Sequence, residues 1–189
     1  MGTEKEATLE AYEKAAEEAM IADTEILAHN GHIRAMDGQD TEIRDLYNDK
    51  PVLIYFWMPW SDDSKEGMPV LENIYRRYGD DIHVVALSFG STAEEARSFY
   101  LQHAYAMPFY TGALSVADDY NVYEVPQCVM IRKGGAISDR VAGLPDERSL
   151  AYMVERGDGT VTYWAKALGC ELLRSEGWSV LIFPFGLAE

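Results

Sequence analysis

The sequence predicts one α/β domain: a mixed central sheet flanked by helices, with an extra N-terminal helix and a C-terminal helix–strand extension. Three observations carry this. Two apolar runs, Pro51 to Trp57 and Ile82 to Ser88, read as strands buried on both faces of a sheet. Each run is followed by a segment with apolar residues at three- and four-residue steps, so strand and helix alternate as in a parallel sheet with helical crossovers. After residue 126, two strand-like runs meet across the turn Lys133-Gly134-Gly135, which makes an antiparallel hairpin.

In chain order, Leu9, Tyr12, Ala16, Ala19, Met20 and Leu27 recur at helical steps and predict a helix over 3–28, stopped by Asn30-Gly31. Its opposite face carries Glu6, Glu10, Glu13, Glu17 and Glu18, so residues 1–30 form an acidic appendage. His32 to Met36 is a short strand and Asp37-Gly38 a tight turn. After the first buried strand, Met68, Leu71, Ile74, Tyr75 and Tyr78 mark a helix that Gly79 closes. After the second, Thr92-Ala93-Glu94-Glu95 opens a helix reaching about His103. A short helix at 114–120 precedes the hairpin strands Gln127 to Ile131 and Ala136 to Val141. Asp146 opens a helix carrying Leu150, Met153 and Val154, which closes a core domain of residues 31–156. In the extension, 157–189, Thr160 to Ser175 reads as a helix through Tyr163, Trp164, Ala167, Leu168, Leu172 and Leu173. Trp178 to Phe183 reads as a strand that Pro184 confines to an edge.

The chain has 189 residues and a formal net charge of −16, from 32 acidic and 16 basic side chains. Such a surface repels phosphate backbones, which argues against nucleic acid as a partner. The longest uncharged stretch, Ser98 to Ala117, contains Gln102, His103, Pro108 and Gly112, so no membrane span is expected. Glu4, Lys5 and Glu6 interrupt the place where a secretory signal would be apolar. The compartment stays open: bacterial periplasm or extracytoplasmic if a signal has been trimmed, cytoplasmic otherwise. Cys128 and Cys170 are the only cysteines, and their distant positions rule out a disulfide-stapled framework.

The run Pro51-Val-Leu-Ile-Tyr-Phe-Trp-Met-Pro-Trp60 resembles the opening of thioredoxin-like domains of the TlpA/ResA type. There a buried strand ends in Phe-Trp, two residues intervene, and Trp-Cys-x-x-Cys begins the first long helix. The resemblance extends through Met68-Pro69, Leu71, Tyr75 and Tyr78. Upstream it includes Asp37-Gly38, Leu46 and Lys50-Pro51; downstream, Val125-Pro126, Gly134-Gly135 and Gly143. It covers residues 31–156 and implies a thioredoxin-like fold. The departure lies at its chemical centre, where Ser61-Asp62-Asp63-Ser64 stands in place of Cys-x-x-Cys and Gly67 is inserted before Met68-Pro69. Disulfide exchange needs a thiolate that attacks sulfur. Serine supplies neither, so Ser61 and Ser64 cannot run that reaction. Both Ser and Asp suit the start of a helix, by capping and by charge.

Two function classes follow. In the first, this is a redox-inactive member that binds a protein or peptide partner. The resemblance implies that Pro126 is cis and faces the 61–64 loop, and that Trp57, Trp60, Asp62, Val125, Pro126 and Gly143 line a groove for an extended peptide. In the second, this is a thiol:disulfide oxidoreductase whose two active-site cysteines have been replaced by Ser61 and Ser64. A structural role is a third reading, in which the aromatic tail and its edge strand mediate a homodimer.

The remaining candidates have plainer readings. Cys128 in a strand is a small core residue before it is a reactive thiol, and no motif pairs it with Cys170. His29 and His32 form a His-x-x-His across a turn without the further ligands a metal needs. His83 and His103 read as structural. No phosphate loop or calcium-ligand spacing occurs, so no cofactor or metal is expected. A triad assembled from Ser61, Asp62 and His83 or His103 has no support in its order or flanks.

Overall fold

A computed structural model of the chain describes residues 26–90 and 92–157, together with the backbone of 171–175 and 178–182. In order, β1 (His32–Ala35), β2 (Asp40–Glu42) and α1 (Ile43–Asp49) precede β3 (Val52–Phe56). The chain continues through α2 (Asp62–Glu66), α3 (Met68–Tyr78), β4 (His83–Phe89), α4 (Ala93–His103), β5 (Phe109–Gly112) and α5 (Leu114–Asp119). Next come the hairpin strands β6 (Gln127–Ile131) and β7 (Ile137–Ala142), then α6 (Glu147–Gly157). These strands form one seven-stranded sheet in the order β2-β1-β5-β4-β3-β6-β7. The pairs β3/β4 and β4/β5 are parallel, while β1 runs antiparallel to both β2 and β5 and β6 runs antiparallel to β3 and β7.

The apolar runs are continuous because the central strands bury both faces. On one face, Leu53, Tyr55, Val84, Ala86, Cys128 and Met130 pack with Met68, Leu71 and Ile74 of α3, Ala96 of α4 and Leu150, Met153 and Val154 of α6. On the other, Val52, Ile54, Phe56, Val85, Leu87, Val129 and Ile131 pack with Ile43 and Tyr47 of α1 and Val116 and Ala117 of α5. Each of the larger aliphatic side chains, fully buried, contributes roughly 1.5–3 kcal/mol of hydrophobic stabilisation. Alternation along each strand divides its residues between the two cores, which is why neither core shows as a period-two pattern.

A buried carboxylate ties the helical layer to the sheet. Glu72 on α3 accepts hydrogen bonds from the backbone N–H groups of Ala106 (3.2 Å) and Met107 (3.1 Å) and from Arg76 Nε (2.9 Å). This fixes the segment between α4 and β5, whose turn places Ala104 at φ 50°.

Two expectations need correction. The helix read over 3–28 does not include its last residues. Leu27 forms a β-bridge with Ala136, and Ala28 N–H donates to Gly135 O at 2.7 Å, so the chain is extended along the β6–β7 turn. The earlier part of that helix lies outside the described residues. The tail helix read over 160–175 is not a helix at its end: β8 (Glu171–Ser175) is a strand, paired antiparallel with β9 (Trp178–Ile182) in a separate two-stranded sheet. Leu172 and Leu173 fit either period, and antiparallel pairing with Leu181 and Val180 decides for the strand. Residues 158–170 lie outside the described set. Among the described residues, no helix is long and apolar enough to cross a membrane.

Candidate functional site

The candidate site forms at the end of the sheet where β3 finishes and β6 begins. The register sets Phe56 opposite Gln127, so the chain leaving β3 lies beside the chain arriving at β6. The Val125–Pro126 peptide bond is cis, as the resemblance implied. Gly143, at the end of β7, donates its N–H to Pro126 O at 2.8 Å and adopts φ +86°, a conformation in which a side chain would be strained. Pro126 and Gly143 thus meet at the end of the sheet from which β3 leads into the 61–64 loop.

Ser61 is the N-cap of α2: its Oγ accepts from Ser64 N–H at 3.2 Å. Ser64 is fully buried, and its Oγ accepts from Met58 N–H at 3.4 Å. Beneath the loop, the Tyr55 hydroxyl donates to Ser64 O at 2.9 Å. Burial raises the Tyr55 pKa well above the usual phenol range, with smaller contributions from Cys128 and Asp63. Asp62 is exposed and pairs with Lys65 at 2.7 Å. That hydrogen bond and the lysine's charge hold its carboxyl below the usual range. Among the described residues no base contacts either serine hydroxyl, and both hydroxyls are engaged in shaping the helix start.

The structure separates the residues read as groove-lining. Trp60 is 66% exposed, Val125 is half-buried and Pro126 is buried at the floor. Trp57 is corrected: it is fully buried against Phe99 and Phe109, at ring distances of 5.1 and 5.5 Å, because it continues β3 with its ring in the core. Two residues that the sequence reading passed over stand in the groove's surroundings. Tyr123 is 86% exposed two residues before Val125, and Leu144 is 48% exposed one residue after Gly143. Solvent exposure of apolar side chains cannot be read from residue type, and only their place beside a known motif could have flagged them. Among the described residues, neither the N–H nor the C=O of Val125 takes part in a hydrogen bond.

The other candidates settle into structural roles. Cys128 is fully buried in β6, and burial pushes its thiol up to about 12. His29 uses its C=O to accept from Tyr120 Oη at 2.7 Å, while the His32 ring lies 3.6 Å from Asp40. His83 Nε2 is 2.8 Å from Asp49 Oδ2, and His103 Nδ1 is 2.9 Å from Phe99 O. A cleft of about 610 Å3 between α3 and α6 is lined by Arg77, Glu147, Arg148 and Tyr152, remote from the 61–64 loop.

Comparison with known proteins agrees with this fold. Residues 48–137 match the family described as Thioredoxin-like. Thioredoxin-like protein YneN of Bacillus subtilis is 25% identical over 126 residues, 65% of this chain and 74% of that protein. Thiol-disulfide oxidoreductase ResA of Bacillus cereus is 24% identical over 131 residues, 68% of this chain and 75% of that protein. The exposed lipoprotein thioredoxin of Streptococcus pneumoniae superposes with a TM-score of 0.62 at 18% identity, covering 68% of this chain and 99% of that one. The chain therefore carries a thioredoxin-like domain, similar in sequence to relatives that bear the name thiol-disulfide oxidoreductase.

Proposed function

We propose that this domain is a redox-silent relative of the thiol–disulfide oxidoreductases that binds an extended segment of a partner protein beside the 61–64 loop and Pro126. The observation that carries the reading is the unengaged backbone of Val125. Its N–H and C=O form no hydrogen bond among the described residues, and the side chains of Trp60, Tyr123 and Leu144 are exposed. An extended peptide can complete both bonds as an added strand does, and its side chains can rest on the three apolar groups. This recognition needs no thiol. Serine at 61 and 64 keeps the helix start capped and the loop shaped while removing the sulfur on which exchange depends.

The test pairs an activity assay with a binding assay. The chain should reduce insulin no faster than the uncatalysed rate with dithiothreitol. Carboxymethylated insulin B chain, an unfolded thiol-free probe, should shift the amide resonances of Val125 and Gly143 and the Trp60 indole N–H. Catalysed insulin reduction would overturn the reading, as would a titration that leaves Val125 unmoved.

A further inference from the structure

We propose that the cleft between Trp60 and α4 receives an arginine side chain of the partner segment. This rests on the partner-binding reading and specifies the partner's chemistry. The cleft encloses about 730 Å3 between the loop after β3 and the exposed side of α4. Its walls are aromatic: Trp60 from the loop, and Phe99, His103 and Tyr105, which stack on one another with Phe99–His103 centroids 4.1 Å apart and His103–Tyr105 centroids 5.8 Å apart. Its rim carries Glu94 and Glu95 from the first turn of α4. Among the described residues, neither glutamate pairs with a cation. Among the described lining residues the one lysine or arginine, Lys65, is already bound to Asp62 at 2.7 Å.

Aromatic faces attract a cation through the ring quadrupole, and Trp does so most strongly. A planar guanidinium can stack on such a face and at the same time offer a fork of donors to a carboxylate, which an ammonium cannot match. Two unpaired carboxylates in a cleft lined by the exposed Trp60 ring therefore fit arginine, and a net charge of −16 favours the approach of a cationic segment. Trp60 lines this cleft and stands four residues after β3, whose end pairs with the start of β6 next to Val125–Pro126, so the partner segment would lay its backbone against Val125 and an arginine in the cleft.

The test uses the full chain, labelled with nitrogen-15, and two probes: blocked Leu-Arg-Leu and the same tripeptide with citrulline, the neutral isostere of arginine. The arginine probe should bind at least about fivefold more tightly and shift the Trp60 indole N–H and the Glu95 amide. The double variant Glu94→Gln with Glu95→Gln should bring the arginine probe to the affinity of the citrulline probe and leave the latter unchanged. Equal affinity of the two probes for the unaltered chain would overturn the inference, as would unmoved Trp60 and Glu95 signals at about 5 mM probe. The Val125 amide reports separately. Its shift with both probes at equal affinity would retain the groove and remove the arginine site, whereas shifts at Trp60 and Glu95 without Val125 would do the reverse.

Discussion

At Cys128, burial alone sets the chemistry. The thiol lies in β6 two residues after Pro126, fully enclosed, and the cost of placing a thiolate in that interior pushes its pKa up to about 12. At pH 8 only about one molecule in ten thousand would carry the thiolate, the form that reacts. Native protein treated with iodoacetamide at pH 8 should therefore leave Cys128 unmodified over hours, while protein in concentrated urea should be alkylated there within minutes. Peptide mapping by mass spectrometry distinguishes this position from Cys170. Alkylation of native Cys128 at the rate of a surface thiol would show that the strand opens or that the thiol is not enclosed. The same reasoning separates the two serines from the thiols they stand in for. Ser61 and Ser64 sit at a helix start, where a thiol would be acidified, but a hydroxyl there only accepts and donates hydrogen bonds.

The α2–α3 junction shows how an element boundary shapes the site. Gly67 ends α2 and precedes α3, and a Cβ built on it would collide with the Tyr55 hydroxyl and lie 3.3 Å from Pro145 Cδ. That hydroxyl is the group that donates to Ser64 O, so the glycine is the space that lets β3 brace the loop. Gly67→Ala should lower stability by about 1–3 kcal/mol in urea denaturation, through overpacking. In a Tyr55→Phe background the same change should cost markedly less, since the atom it strikes is gone. Equal costs in both backgrounds would place the strain elsewhere. Much of this scale was legible beforehand: β3, α3, β4, α4 and the β6–β7 hairpin follow from long apolar runs and helical spacing, and the Val125–Pro126 and Ser61–Ser64 positions follow from the motif around them. Of the short elements, the strand at His32 and the helix at 114–120 were legible, whereas α1, β2 and β5 were not. β2 and β5 have three and four residues and exist through pairing with β1 and β4, which local pattern does not encode. Trp57 was misplaced because strand alternation, which sends it inward, competes with a motif that sets it next to Trp60. The unengaged backbone of Val125 and the meeting of Glu94 and Glu95 with Trp60 are products of topology, and residue types alone do not show them.

For the whole molecule, charge and buried phenols act together on the pH dependence of stability. Tyr55, Tyr120 and Cys128 all have pKa values raised in the folded state, chiefly by burial. A raised folded-state pKa means stability that is complete below the unfolded pKa and is lost as pH climbs towards the folded one. Loss should begin near pH 9, where the unfolded thiol and then the phenols ionise while the folded ones resist. Deprotonation also adds negative charge to a chain already at −16, so self-repulsion works in the same direction. On the acid side the effects oppose each other. Asp40, Asp62 and Asp146 have pKa values lowered mainly by side-chain hydrogen bonds from Arg34, Lys65 and Ser149, so their contribution is present above the unfolded carboxylate pKa and fades as pH falls through the folded one. All three are exposed, which keeps that contribution small, while protonation of the many other carboxylates relieves repulsion. The stability maximum should therefore lie on the acid side of neutrality, between about pH 5 and pH 7, with a steep alkaline limb above about pH 9. Urea midpoints measured across pH 4–11 give the curve. A midpoint that rises between about pH 8.5 and pH 10.5 would mean that the buried phenols and thiol do not govern the alkaline limb.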